Sequence, residues 1–336
     1  MNIYLGILFG VIVSCFWGLA FLVPYAIPSL DPFLITLGRF GTYGILSVFL
    51  ILSRSKPVLR ELHVRDWLWA FALAFTGNLG YYVVLVTAIH LAGAAVAALI
   101  VGALPVTMAL YGNWKQRELD LRRLLLPLAL ILGGLISLNG YKLATVTTIG
   151  TREDLVIGIL CAVIALGLWT WYGVQNSRYM IRRVQISSEA WSTVVGVSTL
   201  ILLLGALPVL EITGVWSPVA ALESVQSRGA IMTFFAASLL LGIVVSWFAT
   251  VLWNIAARRL PVSLAAQLIV FETVSSILYA SLVDHRPPPV FEVIFMIITL
   301  TGVLLGIRTI LQGGSPAKAS KPMVHQAQRA ASTADD

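Results

Sequence analysis

Two ionisable side chains stand deep inside apolar runs and set the chemical question: Arg39 in LGRFGTYG and Glu272 in FETV. A charge near the middle of a bilayer costs several kcal/mol or more unless it is paired or faces water, so both are functional candidates. Arg39 has the chemistry to orient a carboxylate; Glu272 can take a proton or hold an ammonium group. The competing account is a structural buried pair, or an arginine that reaches along its own stem to the interface. At 1.5 Å per helical residue, Arg39 falls ~10 Å below the outer boundary and Glu272 ~14 Å above the inner one. His90, nearer a helix end, reads as interfacial.

Three polar and aromatic stripes accompany these charges. Asn78 and Tyr82 share one helix face at i, i+4, with Tyr81 beside them; Trp169, Tyr172 and Asn176 follow at i, i+3 and i+7; Ser246, Thr250 and then Trp253 or Asn254 make the third. Together they predict a central, partly wet cavity. Aromatic rings there would hold an apolar side chain or an ammonium, the latter by cation–π contact worth about 0.5–2 kcal/mol. Asn and Ser would hydrogen-bond a carboxylate. Ordinary packing is the alternative for each ring. Trp67, Trp69, Trp114, Trp191 and Trp216, close to span ends, read as a membrane-interface belt.

Other chemistries lack their parts. His63, His90, His285 and His325 are scattered, with no H-E-x-x-H and no paired carboxylates, so neither a metal site nor a hydrolase is expected. No phosphate-binding loop appears, which argues against direct ATP drive, and no cofactor is expected. Cys15 and Cys161 both lie in apolar runs, where a disulfide is not expected.

The elements that must position these residues follow from composition. The 336 residues are 59% hydrophobic and 11% charged, far too little polar surface for a soluble fold of this length. The fold class is therefore all-α integral membrane. A membrane helix needs about 20 mostly apolar residues. On that ruler ten spans are expected: 4–26, 32–53, 67–89, 92–113, 121–139, 154–180, 188–210, 230–257, 262–283 and 288–310. The first lacks Lys or Arg before a long apolar run, so it reads as a retained span and not a cleaved signal.

The net charge of +7 reads as an orientation signal, not a nucleic-acid surface. Basic residues crowd alternate loops: Arg54, Lys56, Arg60 and Arg65; Lys115, Arg117, Arg122 and Arg123; Arg178, Arg182 and Arg183; Arg258 and Arg259; and Arg308, Lys318, Lys321 and Arg329. The opposite loops hold only Lys142, Arg152, Arg228 and Arg286. By the positive-inside rule both termini are cytoplasmic, as an even span count also requires.

Two stretches far apart resemble each other. AIHLAGAAVAALIVGALPV (88–106) and AARRLPVSLAAQLIVFETV (256–274) align at an offset of 168, and Gly6-Ile7-Leu8 with Trp17 aligns with Gly158-Ile159-Leu160 with Trp169 at an offset of 152. The larger offset points to longer loops in the second half, between 210 and 228. Five spans per half force the halves into opposite orientations, an inverted repeat of the kind that encloses a midplane substrate site. The expected division is a first repeat over 1–150, a second over 151–311, and a disordered cytoplasmic tail over 312–336, rich in Ala, Ser, Lys and Gln. Small residues with Pro105 inside an apolar run predict close packing and a break in span four. Gly302-x-x-x-Gly306 and Gly133-Gly134 either close packing inside one subunit or form the seam of a homodimer, which leaves a monomer or a weak homodimer.

Ten spans as five plus five, Trp17 in SCFWGLAF, Arg39 in LGRFGTYG, the Ala-rich span four ending in LP, and Glu272 in FETV together resemble the EamA-type members of the drug/metabolite transporter superfamily. Within it the chain looks most like bacterial amino-acid exporters of the aromatic amino-acid exporter (YddG) type. The resemblance implies export of amino acids or similar zwitterions across the bacterial inner membrane by alternating access. It places Trp17, Asn78, Tyr82, Trp169, Tyr172, Ser246, Thr250 and Trp253 at the substrate, with Glu272 and Arg39 as candidates for charge or proton coupling. Thr273 stands where the family usually shows proline, which weakens the expectation of a pronounced break in span nine. The alternatives are a carrier of phosphorylated or nucleotide-sugar metabolites, which demands several cavity cations, and, from a different class, an intramembrane enzyme.

Overall fold

The structure is a computed structural model that describes residues 2–54, 62–116, 121–145, 151–214, 216–223 and 225–312, all helix, turn or coil with no strand among them. Helices prevail because a chain in lipid must satisfy its backbone donors and acceptors internally. The elements are α1 (Ile3–Ala26), α2 (Pro32–Arg54), α3 (Val64–Ala92), α4 (Ala94–Val101), α5 (Leu104–Gln116), α6 (Leu121–Thr145), α7 (Arg152–Arg182), α8 (Ser188–Thr213), α9 (Pro218–Glu223), α10 (Arg228–Ala257), α11 (Val262–Leu268), α12 (Val270–Val283) and α13 (Val290–Gln312). Several starts are set by side-chain caps. Asn2 accepts from the Tyr4 and Leu5 amides, Ser187 caps α8, and Thr151 with Asp154 forms a capping box on α7.

Nine stretches among the described residues are long and apolar enough to cross a bilayer. They begin and end within a few residues of nine of the expected spans. The 25-residue α6 runs where the fifth was expected, although it does not stand among the nine. The lengthened connection between 210 and 228 contains the short helix α9.

Span four is indeed divided. Pro105 has no amide to offer the Val101 carbonyl, and the helix is interrupted at Gly102 and Ala103. Span nine divides as well, at Ile269, despite Thr273 in place of proline. Ile269 keeps a helical backbone (φ −61°, ψ −24°), so this second interruption is one residue long and mild.

Helix neighbours exchange between the halves. The pairs α2–α8, α5–α11 and α6–α13 join spans that the sequence offsets align; along the same alignment α3–α7 matches α10–α1, α4–α7 matches α11–α1, α5–α7 matches α12–α1, and α3–α8 matches α10–α2. One more feature recurs. A π-helical segment interrupts α3 at Phe75–Leu79 and α10 at Leu240–Phe248.

The glycine pairs close packing within the chain. A methyl at Gly134 would fall on the Thr299 side chain, and one at Gly302 would sit 2.8 Å from the Pro127 carbonyl, so α6 and α13 meet there. Gly306 in turn packs on Gln267 of α11, whereas Gly133 faces open space. Trp191 corrects the interface-belt expectation: it is fully buried, stacked on Tyr179 at 4.0 Å, because its indole N–H finds the Asn176 side chain inside the bundle. Trp114 remains exposed and His90 exposed against Phe33. Of the expected tail, only Gln312 lies within the described residues.

Candidate functional site

The π segments carry the polar residues into the bundle. A π turn widens the helix by one residue and leaves backbone and side chains off the regular register, which is why such turns recur at functional sites. Each is pressed against the other half through a glycine. Gly77 admits the Tyr172 ring of α7, where a Cβ would lie 2.6 Å from its Cγ, and Gly242 admits α2, where a Cβ would lie 2.8 Å from the Arg39 carbonyl.

Arg39 is thereby set against α10. Its Nε donates to Ser246 Oγ at 2.8 Å, and its guanidinium carbon stands 5.2 Å from the Phe40 ring centre. Its electrostatic neighbours are Tyr82, Glu272, Tyr81 and Tyr43, contributed by α3, α12 and α2. Glu272 sits beside α1 because Gly18 leaves room; a Cβ there would lie 3.1 Å from the Glu272 carbonyl. The Glu272 carboxylate has no hydrogen-bond or ion-pair partner among the described residues, and Arg39 does not reach it within the 4.0 Å of an ion pair. Arg39, Glu272, Tyr81, Tyr82 and Thr250 are all only partly buried although they lie within membrane-spanning stretches. A cation and an anion are thus held as neighbours without forming an ion pair.

Four aromatic rings gather on one side of these groups. Trp17 meets Trp169 edge-on at 5.6 Å and Trp253 at 5.3 Å; Trp169 meets Trp253 at 6.3 Å and Tyr172 at 5.5 Å. Trp17 and Trp169 are each 8% exposed and Trp253 is fully buried. The Trp253 indole N–H has no partner, an expensive state for a buried donor. The rings come from α1, α7 and α10.

Beyond the rings, the basic ends of α3, α7, α8 and α10 are tied together. Asp66 of α3 pairs with Arg183 at the end of α7, accepts from Tyr179 Oη at 2.7 Å, and accepts from the His63 amide at 2.9 Å. Asn176 accepts from Trp191 at 3.0 Å and donates to Asn254 Oδ1 at 2.8 Å. Arg258 donates to the Val184 carbonyl at 3.1 Å and to the Ile186 carbonyl. Burial and the adjacent Arg259 lower the Arg258 pKa. These groups close that end of the bundle.

The residues expected to line a cavity therefore separate into two groups. Trp17, Trp169, Tyr172 and Trp253 pack on one another, while Arg39 holds Ser246 and has Tyr82 and Glu272 as charged or polar neighbours; Thr250 is partly buried one helical turn after Ser246. Asn78 turns instead to α8, donating to Thr199 Oγ1 at 2.9 Å. Sequence reasoning missed the Asp66–Tyr179–Arg183 clamp. Its signal was Tyr179 and Arg183 at i, i+4, a pair that shares one helix face with a lone acid opposite.

Comparisons with known proteins agree with this architecture. Residues 4–140 match the EamA-like transporter family. The chain is 29% identical over 324 residues to the inner membrane protein YtfF of Escherichia coli (strain K12), covering 95% of this chain and 97% of that protein. A solved structure, described only as the crystal structure of a protein, superposes with a TM-score of 0.72 at 21% identity, covering 92% of this chain and 99% of the other. The first half of the chain is thus EamA-like, and the whole is a multi-pass membrane protein.

Proposed function

We propose that this EamA-like membrane protein is a secondary transporter that exports amino acids or similar small zwitterions across the bacterial inner membrane by alternating access between two inverted five-helix repeats. The observation that carries the reading is the separated pair of charges. Arg39, held by Ser246, is placed to take a carboxylate, and the unpartnered Glu272 to take an ammonium. A zwitterion bridging them would replace both of their missing partners, in a site with little water to screen the attraction. The rings of Trp17, Trp169 and Trp253 supply an apolar face for a side chain and, as the site opens to one end, the closing layer toward the other. The exchanged helix contacts and the paired π segments support the two-repeat arrangement, with both termini cytoplasmic.

A carrier of phosphorylated or nucleotide-sugar metabolites is less well served, since Glu272 stands as a neighbour of Arg39 and would repel a phosphate. The test is flux in proteoliposomes of labelled amino acids, with and without a pH gradient, against competition by phosphate esters. Flux of amino acids that phosphate esters leave untouched supports the reading; uptake of phosphate esters with no amino-acid flux refutes it.

A further inference from the structure

We infer that the cavity between the first turn of α3 and the last turns of α7 is a binding site for a phosphate-bearing anion. It has a volume of about 420 Å³, and its lining residues include the four arginines Arg65, Arg178, Arg182 and Arg183, with Asp66 the one acid among them. That carboxylate is already engaged by Arg183, Tyr179 and the His63 amide. Arg65, Arg178 and Arg182 make no hydrogen bond or ion pair among the described residues.

Arg178 and Arg182 share one face of α7 at i, i+4, a spacing at which like charges repel. Turning them into a cavity with a third arginine is unfavourable until an anion enters. The planar guanidinium fork matches phosphate oxygens two at a time, and several forks around one space surround such a group. Position identifies the sources. The cavity lies at the ends of two membrane helices, and Trp69, which also lines it, stacks on Trp171 at 5.9 Å in the manner of an interface aromatic. Basic pockets at this depth bind anionic headgroups, and a free phosphate from solution presents the same oxygens.

Neither Arg39 nor Glu272 lines the cavity, so this site stands apart from the transport reading, and its test uses no transport. The purified full-length protein is reconstituted in phosphatidylcholine nanodiscs with or without phosphatidylglycerol, or with inorganic phosphate added. The thermal midpoint and the anion retained in native mass spectrometry are then read. Wild type is expected to retain phosphatidylglycerol and melt higher with it. The Arg178→Gln/Arg182→Gln variant is expected to bind it on the order of tenfold more weakly, with its midpoint in phosphatidylcholine alone unchanged. Arg182→Gln, at an exposed side chain, makes the same comparison if the double variant folds poorly. Protection by the lipid alone assigns a headgroup, and equal protection by inorganic phosphate assigns a free anion; either carries the site. Equal binding by wild type and variant, or protection by neither phosphatidylglycerol nor inorganic phosphate beyond that in phosphatidylcholine alone, overturns it.

Discussion

Gly242→Ala is the sharpest probe of how the site is assembled. A methyl at this position would lie 2.5 Å from Thr42 Cβ and 2.8 Å from the Arg39 carbonyl oxygen, the second being backbone that no rotamer change can move. Thr42 Cβ is fixed by its backbone too, so restoring an ordinary contact of about 3.4 Å to both atoms requires α2 and α10 to part by about 0.9 Å. Arg39 Nε and Ser246 Oγ lie across the same contact at 2.8 Å, and the same parting takes them to about 3.7 Å, past the useful limit of an N–H···O bond. Overpacking costs about 1–3 kcal/mol and a hydrogen bond to a charged group is worth about 1.5–3 kcal/mol, while Gly→Ala returns about 1 kcal/mol of helix propensity. The net expectation is a protein destabilised by about 1.5–5 kcal/mol whose amino-acid flux falls on the order of tenfold. Gly41→Ala, on α2 beside the contact but where a Cβ meets nothing within 4 Å, is the matched control and should melt at or above wild type. The assay is thermal midpoint by size-exclusion fluorescence, followed by proteoliposome flux normalised to folded protein. A Gly242→Ala protein with the midpoint and flux of Gly41→Ala would refute the close approach of α2 and α10.

Trp253→Phe keeps a ring in the aromatic cluster and removes the unpartnered indole N–H; folding should be unchanged or slightly improved, and substrate affinity measured by flux competition should fall if that N–H meets cargo. Glu272→Gln should abolish any dependence of flux on a pH gradient while the protein stays folded, and an identical pH response in variant and wild type would remove the proton role. Asp66→Asn should lower the thermal midpoint by an amount corresponding to about 1–3 kcal/mol, with Arg183→Gln adding little on top because the two act as one pair; additive losses would show that the clamp is not a unit. Single cysteines introduced at Arg65 and Arg152 in a background lacking Cys15 and Cys161 should label from opposite faces of the membrane; labelling from one face would end the ten-span topology.

Much was legible before any coordinates. Apolar run length dictates where helices cross lipid, and a run such as 188–210 has no other stable state there, so the observed α8 begins at the same Ser188. Pro105 announced its break because a missing amide is a local property. Glu272 and Arg39 stood out because a charge in an apolar run needs a reason wherever the chain goes.

Other features depend on which helix lies beside which. Trp191 sits near a span end, as an interface residue would, and only the approach of Asn176 from α7 draws it into the core. The π segments carry no residue signature of their own; they arise where Gly77 and Gly242 let a neighbouring helix come close. Composition and periodicity are written along one helix at a time, and so the sequence by itself determined a bundle of membrane helices with a buried cation and anion. That Arg39 rests on Ser246, that Glu272 is left without a partner, and that three tryptophans from three helices form one layer depend on contacts between residues more than two hundred positions apart. Only the tertiary packing could decide those.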